Sequence, residues 1–511
     1  MLRTTALLVL LAALVLGCSP GASVSETDDP IAVPAESSAF DPLDEERLMD
    51  ALRYLASDDL LGRRTGTPGI DSAAVFLKRR FEAAGLVSPP GAEEFYQTIP
   101  FAFVRQPLNL YVSVGDQEWR GGEAVLIQGD EVVMDAPVAF VGYGIEAVDY
   151  ADAAGKLAVA RAGTPGGGVG DALGRAADKR TLAAEAGAAG LVELYALPVP
   201  WERIAGFLQR ERLAVQDGPD LPHAWVPDAE GVLATSFVER SDEADLPETG
   251  GALATSGLRM GDASSSNVAG FIEGRDPALK DEVVVLVAHY DHVGAGMTNG
   301  RGATPADSIF NGARDNGMGT VALLAAAEAL AQERPRRSVL ALAVTAEEEG
   351  LLGSRYYVAN PLVPLRETVF ALNTDGAGYS VTDRVSIVGL GRTSVDAQLE
   401  AAAAEAGLDL GGDPAPEQGL FDRSDNVNFA RAGVPTLTFS PGLDSFQSPA
   451  IAAYYHNAAD EVDEAFDAAY FQRFVTAFVA ATKQIANADE RPAWTPGDEY
   501  ADAAAALYGG D

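Results

Sequence analysis

Cysteine is almost missing: Cys18 is the only one in 511 residues, so no intramolecular disulfide is available and stability has to come from a packed core. Lysine is nearly as scarce. Lys78, Lys156, Lys179, Lys280 and Lys483 are the full set, and 36 Lys and Arg stand against 75 Asp and Glu, a formal charge of -39. A surface of that sign repels nucleic acid and anionic membrane, which removes both as partners. The acidity fits salt adaptation or a compositional bias toward Arg and Ala, and it bears on solubility rather than on fold. Histidine is limited to His223, His289, His292 and His456, so any imidazole chemistry must use these four. What is present is ordinary for a soluble globular protein of two or three domains, with 47% hydrophobic and 8% aromatic residues.

Arg3 precedes an apolar stretch, residues 6–16, which is too short to span a bilayer as a helix and reads as the core of a secretion signal over residues 1–17. Val15-Leu16-Gly17-Cys18 resembles the bacterial lipobox. That resemblance implies a lipid anchor on Cys18, export to the bacterial cell envelope, and membrane contact through the anchor only. Residues 18–42, rich in Ser, Pro, Ala and acids, read as the lipidated cysteine and a flexible tether.

The chemistry gathers in residues 283–375. Val283-Val284-Val285-Leu286-Val287 has the length and β-branched composition of a buried parallel strand, and it stops at Ala288-His289-Tyr290-Asp291-His292. A Gly-rich turn around Asn311 to Gly319 opens an Ala/Leu-rich helix and brings Asp315 to its start. A second buried strand, residues 338–344, ends at Glu347-Glu348-Glu349-Gly350, and a third, residues 369–372, ends at Asn373-Thr374-Asp375. In open parallel sheets ligands sit beyond the carboxyl ends of the strands, so three strand ends and one helix start deliver His, Asp and Glu to one rim. Tyr454-Tyr455-His456 follows further on, after Arg423-Ser424-Asp425-Asn426 and a strand at residues 435–439.

Around this core, residues 45–57 and 71–84 read as covering helices, with a turn-dense loop at residues 59–69, and residues 467–485 as a closing amphipathic helix. Residues 126–250 change texture to short strands and turns around one helical patch. His223 stands alone there and reads as a surface or packing residue. The expected organisation is a discontinuous core over 43–125 and 251–487, an insert over 126–250 and a loose acidic tail over 488–511.

Two divalent cations about 3.5–4 Å apart need a bridging carboxylate and, for each, an imidazole and a carboxylate. His289, Asp315, Glu348, Asp375 and His456 make up that set. Mixed His and carboxylate ligands suit two Zn²⁺, with Mn²⁺ or Co²⁺ as alternatives. Asp291, two residues on from His289 along an extended strand, is placed to accept the imidazole N–H. Glu347, beside the ligand Glu348, is placed to act as general base toward water shared by the metals. His292 reads as packing or as support for the ligands.

In this order the motifs resemble the co-catalytic zinc peptidases of clan MH, the group of bacterial leucyl-type aminopeptidases, glutamate carboxypeptidase and the transferrin receptor. Residues 138–194 resemble the protease-associated domain that such enzymes carry as an insert. The resemblance implies an α/β fold: a three-layer αβα core with a mostly parallel central sheet, plus a mainly-β insert. It implies that Asp315 bridges, His289 and Asp375 hold one metal, Glu348 and His456 the other, Glu347 is the base and Asp291 the orienting acid. It further implies that Tyr455 polarises the substrate carbonyl and that the Asp315-Asn316 peptide is cis. Arg314, Met318 and Asn426 depart from the usual pattern, which places them at the pocket rim, and residues 294–310 form a long loop. The activity expected is an aminopeptidase acting on peptides. The alternatives are a carboxypeptidase or dipeptidase on the same centre and a non-catalytic, receptor-like binding protein.

Overall fold

Strand Val283–His289 is buried along its whole length, and its two faces enter different cores. Val284, Leu286 and Ala288 pack with Leu52, Leu77, Leu323 and Phe474 from the helices Glu45–Leu55, Pro68–Ala84, Met318–Gln332 and Ala468–Asn487. Val283, Val285 and Val287 pack with Tyr357 and Phe429 from Leu352–Ala359 and Asn426–Arg431 on the other side. Successive side chains of a strand point to opposite faces, so a strand apolar at every position needs cover on both. The outcome is a three-layer αβα core. The computed structural model describes residues 40–216, 219–240 and 249–509, so residues 1–17, expected to be a secretion signal, and Cys18 lie outside the described residues.

The central sheet has nine strands in the order Asp409–Gly412, Arg384–Val388, Thr436–Pro441, Thr368–Thr374, Val283–His289, Ser338–Val344, Arg259–Ile272, Tyr96–Arg105 and Arg212–Val215. The four from Thr436–Pro441 to Ser338–Val344 run parallel, and their carboxyl ends share one rim. Helix Met318–Gln332 has no polar face and is buried from Met318 to Leu330. Its one charge, Glu328, is 1% exposed and accepts hydrogen bonds from Arg47 at 3.0 Å and Arg80 at 2.7 Å, which offsets the cost of burying it. Pro68 opens its helix and Gly85, at φ 85°, closes it in the left-handed conformation.

A second sheet of eight strands runs Gln117–Arg120, Asn109–Val114, Gly250–Ser256, Val133–Phe140, Leu157–Arg161, Gly190–Tyr195, His223–Pro227 and Val125–Gln128, with helices Val169–Glu185, Trp201–Leu208 and Val232–Arg240 beside it. It reaches from Asn109 to Ser256, wider than 126–250. Arg212–Val215, from inside that span, returns to pair with Tyr96–Arg105 at the edge of the first sheet. Local composition does not separate these strands, because their partners lie far away in sequence. The tail is not loose either: Trp494 packs against Phe421, Asp498 accepts from Arg392 at 2.8 Å, and Ala501–Tyr508 is helical. Three aromatics in an Ala-rich acidic segment, Trp494, Tyr500 and Tyr508, supply its anchorage. Among the described residues no helix is long and apolar enough to cross a membrane.

Candidate metal centre

His289 ends its strand. Its Nδ1 lies 3.2 Å from the carbonyl oxygen of Asp291, an atom that only accepts, so Nδ1 carries the proton and Nε2 is free to donate its lone pair. Nε2 sits 3.2 Å from Asp375 Oδ1 and 3.5 Å from Asp315 Oδ1. Asp375 follows Thr368–Thr374, and Asp315 lies ahead of the helix Met318–Gln332, with φ −115° and ψ 96°. The Asp315-Asn316 peptide is cis. On the other side of Asp315, its Oδ2 lies 3.4 Å from His456 Nε2, which is 3.0 Å from Glu348 Oε2. The two oxygens of one carboxylate thus face two imidazoles. His456 itself is at φ 49°. The long loop 294–310 fixes it there, with Arg301 donating to the carbonyls of Tyr455 at 2.7 Å and His456 at 2.8 Å.

Two positions differ from the sequence reading. The Asp291 carboxylate is 3.7 Å from His289 Nδ1, and its hydrogen bonds come from the backbone N–H groups of Glu347 at 3.1 Å and Glu348 at 3.3 Å. The strand has already ended at His289, so the two side chains do not share a face and it is the Asp291 carbonyl that meets the imidazole. His292 is drawn into the centre: its Nδ1 lies 2.8 Å from Glu348 Oε1, and His292, Asp315 and Glu348 offer ligand atoms within 4.8 Å of one another. His289, Asp315 and Asp375 form a second such group, with Asp315 common to both.

Arg314, Met318 and Asn426 are not at the rim. All are buried, Arg314 at 2% exposure with its guanidinium 3.7 Å from the Tyr454 ring centre and its side chain bonded to Asp460 at 3.2 Å. Asp460 also accepts the backbone N–H groups of Arg314 and Asp315, at 3.0 and 3.1 Å. Four supporting residues had only weak signals in the sequence. Asp460 was one more acid near His456. Ser424 donates to Asp375 Oδ2 at 2.5 Å, and Asp425 accepts from Ser354 at 2.5 Å. Arg63, in the turn-dense loop, is fully buried and donates to the carbonyls of Tyr290 at 2.8 Å, Asn311 at 2.6 Å and Gly312 at 3.0 Å. It ties the end of the His289 strand to the turn that carries Asp315.

The electrostatics are those of too many buried anions. Burial, reinforced by Asp375 and Glu348, holds Glu347 well above the usual carboxylate range, and burial pushes Asp291 to about 7 and Asp425 to about 6. Burial alone would lower His456, yet Glu348 and Asp315 carry it to about 10. Asp315 Oδ2, Glu348 Oε1 and both ring nitrogens of His292 are buried without a well-aligned hydrogen bond, the 2.8 Å approach of His292 Nδ1 to Glu348 Oε1 included. Buried polar atoms without partners are costly, and clustered buried carboxylates more so, unless cations sit among them. The donor set of imidazole nitrogen and carboxylate oxygen fits Zn²⁺, and the sharing of Asp315 fits two ions. Glu347 and Tyr455 line the cleft beside this centre, with the Tyr455 ring 4.1 Å from that of His456.

A three-layer α/β core with paired imidazole and carboxylate clusters at its strand ends defines a centre able to hold metal ions. Residues 267–482, which hold every residue of it apart from Arg63, match the model of peptidase family M28. The chain is 34% identical to a vacuolar membrane protease of Saccharomyces cerevisiae over 114 residues, 22% of this chain and 10% of that protein. It is 27% identical to a probable zinc metalloprotease of Pyrenophora teres f. teres over 200 residues, 32% of this chain and 40% of that one. The chain therefore spans about a tenth of the length of the first of these relatives. Among solved structures, an aminopeptidase from Aneurinibacillus sp. strain AM-1 superposes with TM-score 0.49 at 18% identity, covering 88% of this chain and 96% of that one. A zinc aminopeptidase from Bacillus subtilis gives 0.45 at 20%, covering 88% and 97%.

Proposed function

We propose that this chain is a dinuclear zinc exopeptidase that removes N-terminal residues from peptides. The observation that carries the reading is the position of Asp315, whose two carboxylate oxygens face His289 on one side and His456 on the other. His289 and Asp375 would hold one ion, Glu348 and His456 the second, with Asp315 between them. Two such ions supply a Lewis acid for the scissile carbonyl and an acidified water. The chain's own residues do the rest. Glu347, half-buried and lining the cleft, takes the proton from the attacking water and returns it to the leaving amine; a carboxylate whose proton affinity is already raised suits that exchange. Tyr455, which lines the cleft, would donate to the carbonyl oxygen as charge develops there. Asp291 holds the Glu347-Glu348 turn by its backbone, and Ser424 orients Asp375. The second sheet is read as a protease-associated insert, and Cys18 as the lipidated anchor of an exported enzyme.

The test is zinc-loaded protein assayed on aminoacyl chromogenic amides and on N-blocked peptides with free carboxyl groups, before and after dialysis against chelator. Cleavage confined to free-amine substrates, lost on chelation and restored by zinc, is the expected result. Cleavage confined to the blocked peptides would assign a carboxypeptidase instead.

A further inference from the structure

Arg423 is the single Lys or Arg among the residues that line the cleft at the metal centre. Its backbone position is set by the next residue, since Ser424 donates to Asp375 at 2.5 Å. Its guanidinium lies 5.4 Å from the Phe446 ring centre, and Phe446 packs edge-on against Tyr455 at 5.6 Å, so a ring rather than an acid steadies it. Among the described residues the Arg423 side chain has no ion-pair or hydrogen-bond partner, in a chain where acids outnumber bases 75 to 36. Other arginines nearby are committed: Arg314 to Asp460, Arg392 to Asp498 and Glu499. Val388, Leu420 and Leu443 line the same cleft with apolar surface. An apolar wall with one steadied, unpaired guanidinium fits an aliphatic stem that ends in a carboxylate, because the planar guanidinium binds that group through two parallel hydrogen bonds.

We infer that Arg423 recognises a carboxylate of the substrate close to the scissile bond. This rests on the peptidase reading above. Two sources share the chemistry: the side chain of a glutamyl or aspartyl residue, and the terminal carboxylate of a very short peptide.

The experiment measures binding without turnover. Zinc-loaded full-length chain carrying Glu347→Gln is titrated calorimetrically with glutamyl-alanine amide against glutaminyl-alanine amide, and with leucyl-leucine against leucyl-leucine amide. The carboxylate member of one pair should bind about tenfold tighter. Adding Arg423→Gln should remove that advantage, and Arg423→Lys should keep part of it, with zinc content unchanged as the check on folding. A preference in the first pair assigns a side-chain carboxylate, and one in the second a terminal carboxylate. No preference in either pair, a preference that survives Arg423→Gln, or no peptide binding at all overturns the inference. Peptide binding governed by Arg423 with no hydrolysis by the unsubstituted zinc-loaded chain would overturn the exopeptidase reading alone.

Discussion

In the second sheet Glu193 is fully buried and accepts hydrogen bonds from Lys179 at 2.6 Å, His223 at 2.9 Å and Trp225 at 2.8 Å, while Lys179 also donates to the Arg161 carbonyl at 2.7 Å. Burial works against the charge on Glu193, yet His223 and Lys179 hold its carboxyl below the usual range. In the candidate metal centre the cationic groups available to Asp315, Glu347, Glu348 and Asp375 are His289, His292 and His456; Ser424 donates to Asp375, while one oxygen each of Asp315 and Glu348 has no hydrogen bond. The first cluster is fully buried and the second only partly, with His456 32% exposed, and both combine histidine with carboxylate. The difference lies in charge: the Glu193 carboxylate has three protein donors, and only His223 Nδ1 beside it is unpartnered, whereas four carboxylates around three imidazoles leave charge for something else to neutralise. A buried histidine beside an acid is therefore not in itself the mark of a site.

Removing a charge from each cluster is the sharpest way to break this comparison. The largest effect falls on catalysis: Glu347→Gln should lower kcat by about 10²–10⁴ on any substrate the enzyme cleaves, with zinc content unchanged by metal analysis. Near-normal turnover would remove Glu347 as the base. On stability the two clusters should part company. Glu193→Ala leaves Lys179 buried without its counter-charge and should cost about 3–5 kcal/mol in denaturant unfolding, with zinc binding retained. Asp315→Asn, compared with the unsubstituted chain in metal-free form, should cost nothing and melt no lower, while zinc binding is lost. A large loss of metal-free stability in Asp315→Asn would show that this cluster, too, is internally satisfied. The smallest effect is expected from Ser424→Ala, which frees Asp375 from its orienting hydroxyl and should weaken zinc binding about 10- to 100-fold in a competition titration.

The residues of the centre were legible because each sits where an apolar strand stops, and a run such as Val283 to Val287 followed by His289 is visible without any partner. Asp291 was legible as a supporting acid but not in its contact, since that depends on where strand pairing ends. His292 was underestimated because nothing local distinguishes a histidine that turns inward from one that packs. Arg63 had little signal beyond its place in a turn-dense loop, since its partners Asn311 and Gly312 lie about 250 residues away. Arg314, Met318 and Asn426 were placed at the rim from the resemblance, and burial put them beneath it.

By itself the sequence determined the buried strands and the order in which imidazoles and carboxylates leave them, because strand length, apolar pattern and breaking residues act over a few neighbours. The tertiary structure alone decided which oxygen of Asp315 faces which histidine, which carboxylate in this acidic chain is satisfied, where the second sheet begins, and which arginine stays free in the cleft. Those outcomes follow from pairings between distant segments, whose energies depend on burial and on the directions of hydrogen bonds that exist only once the chain has packed.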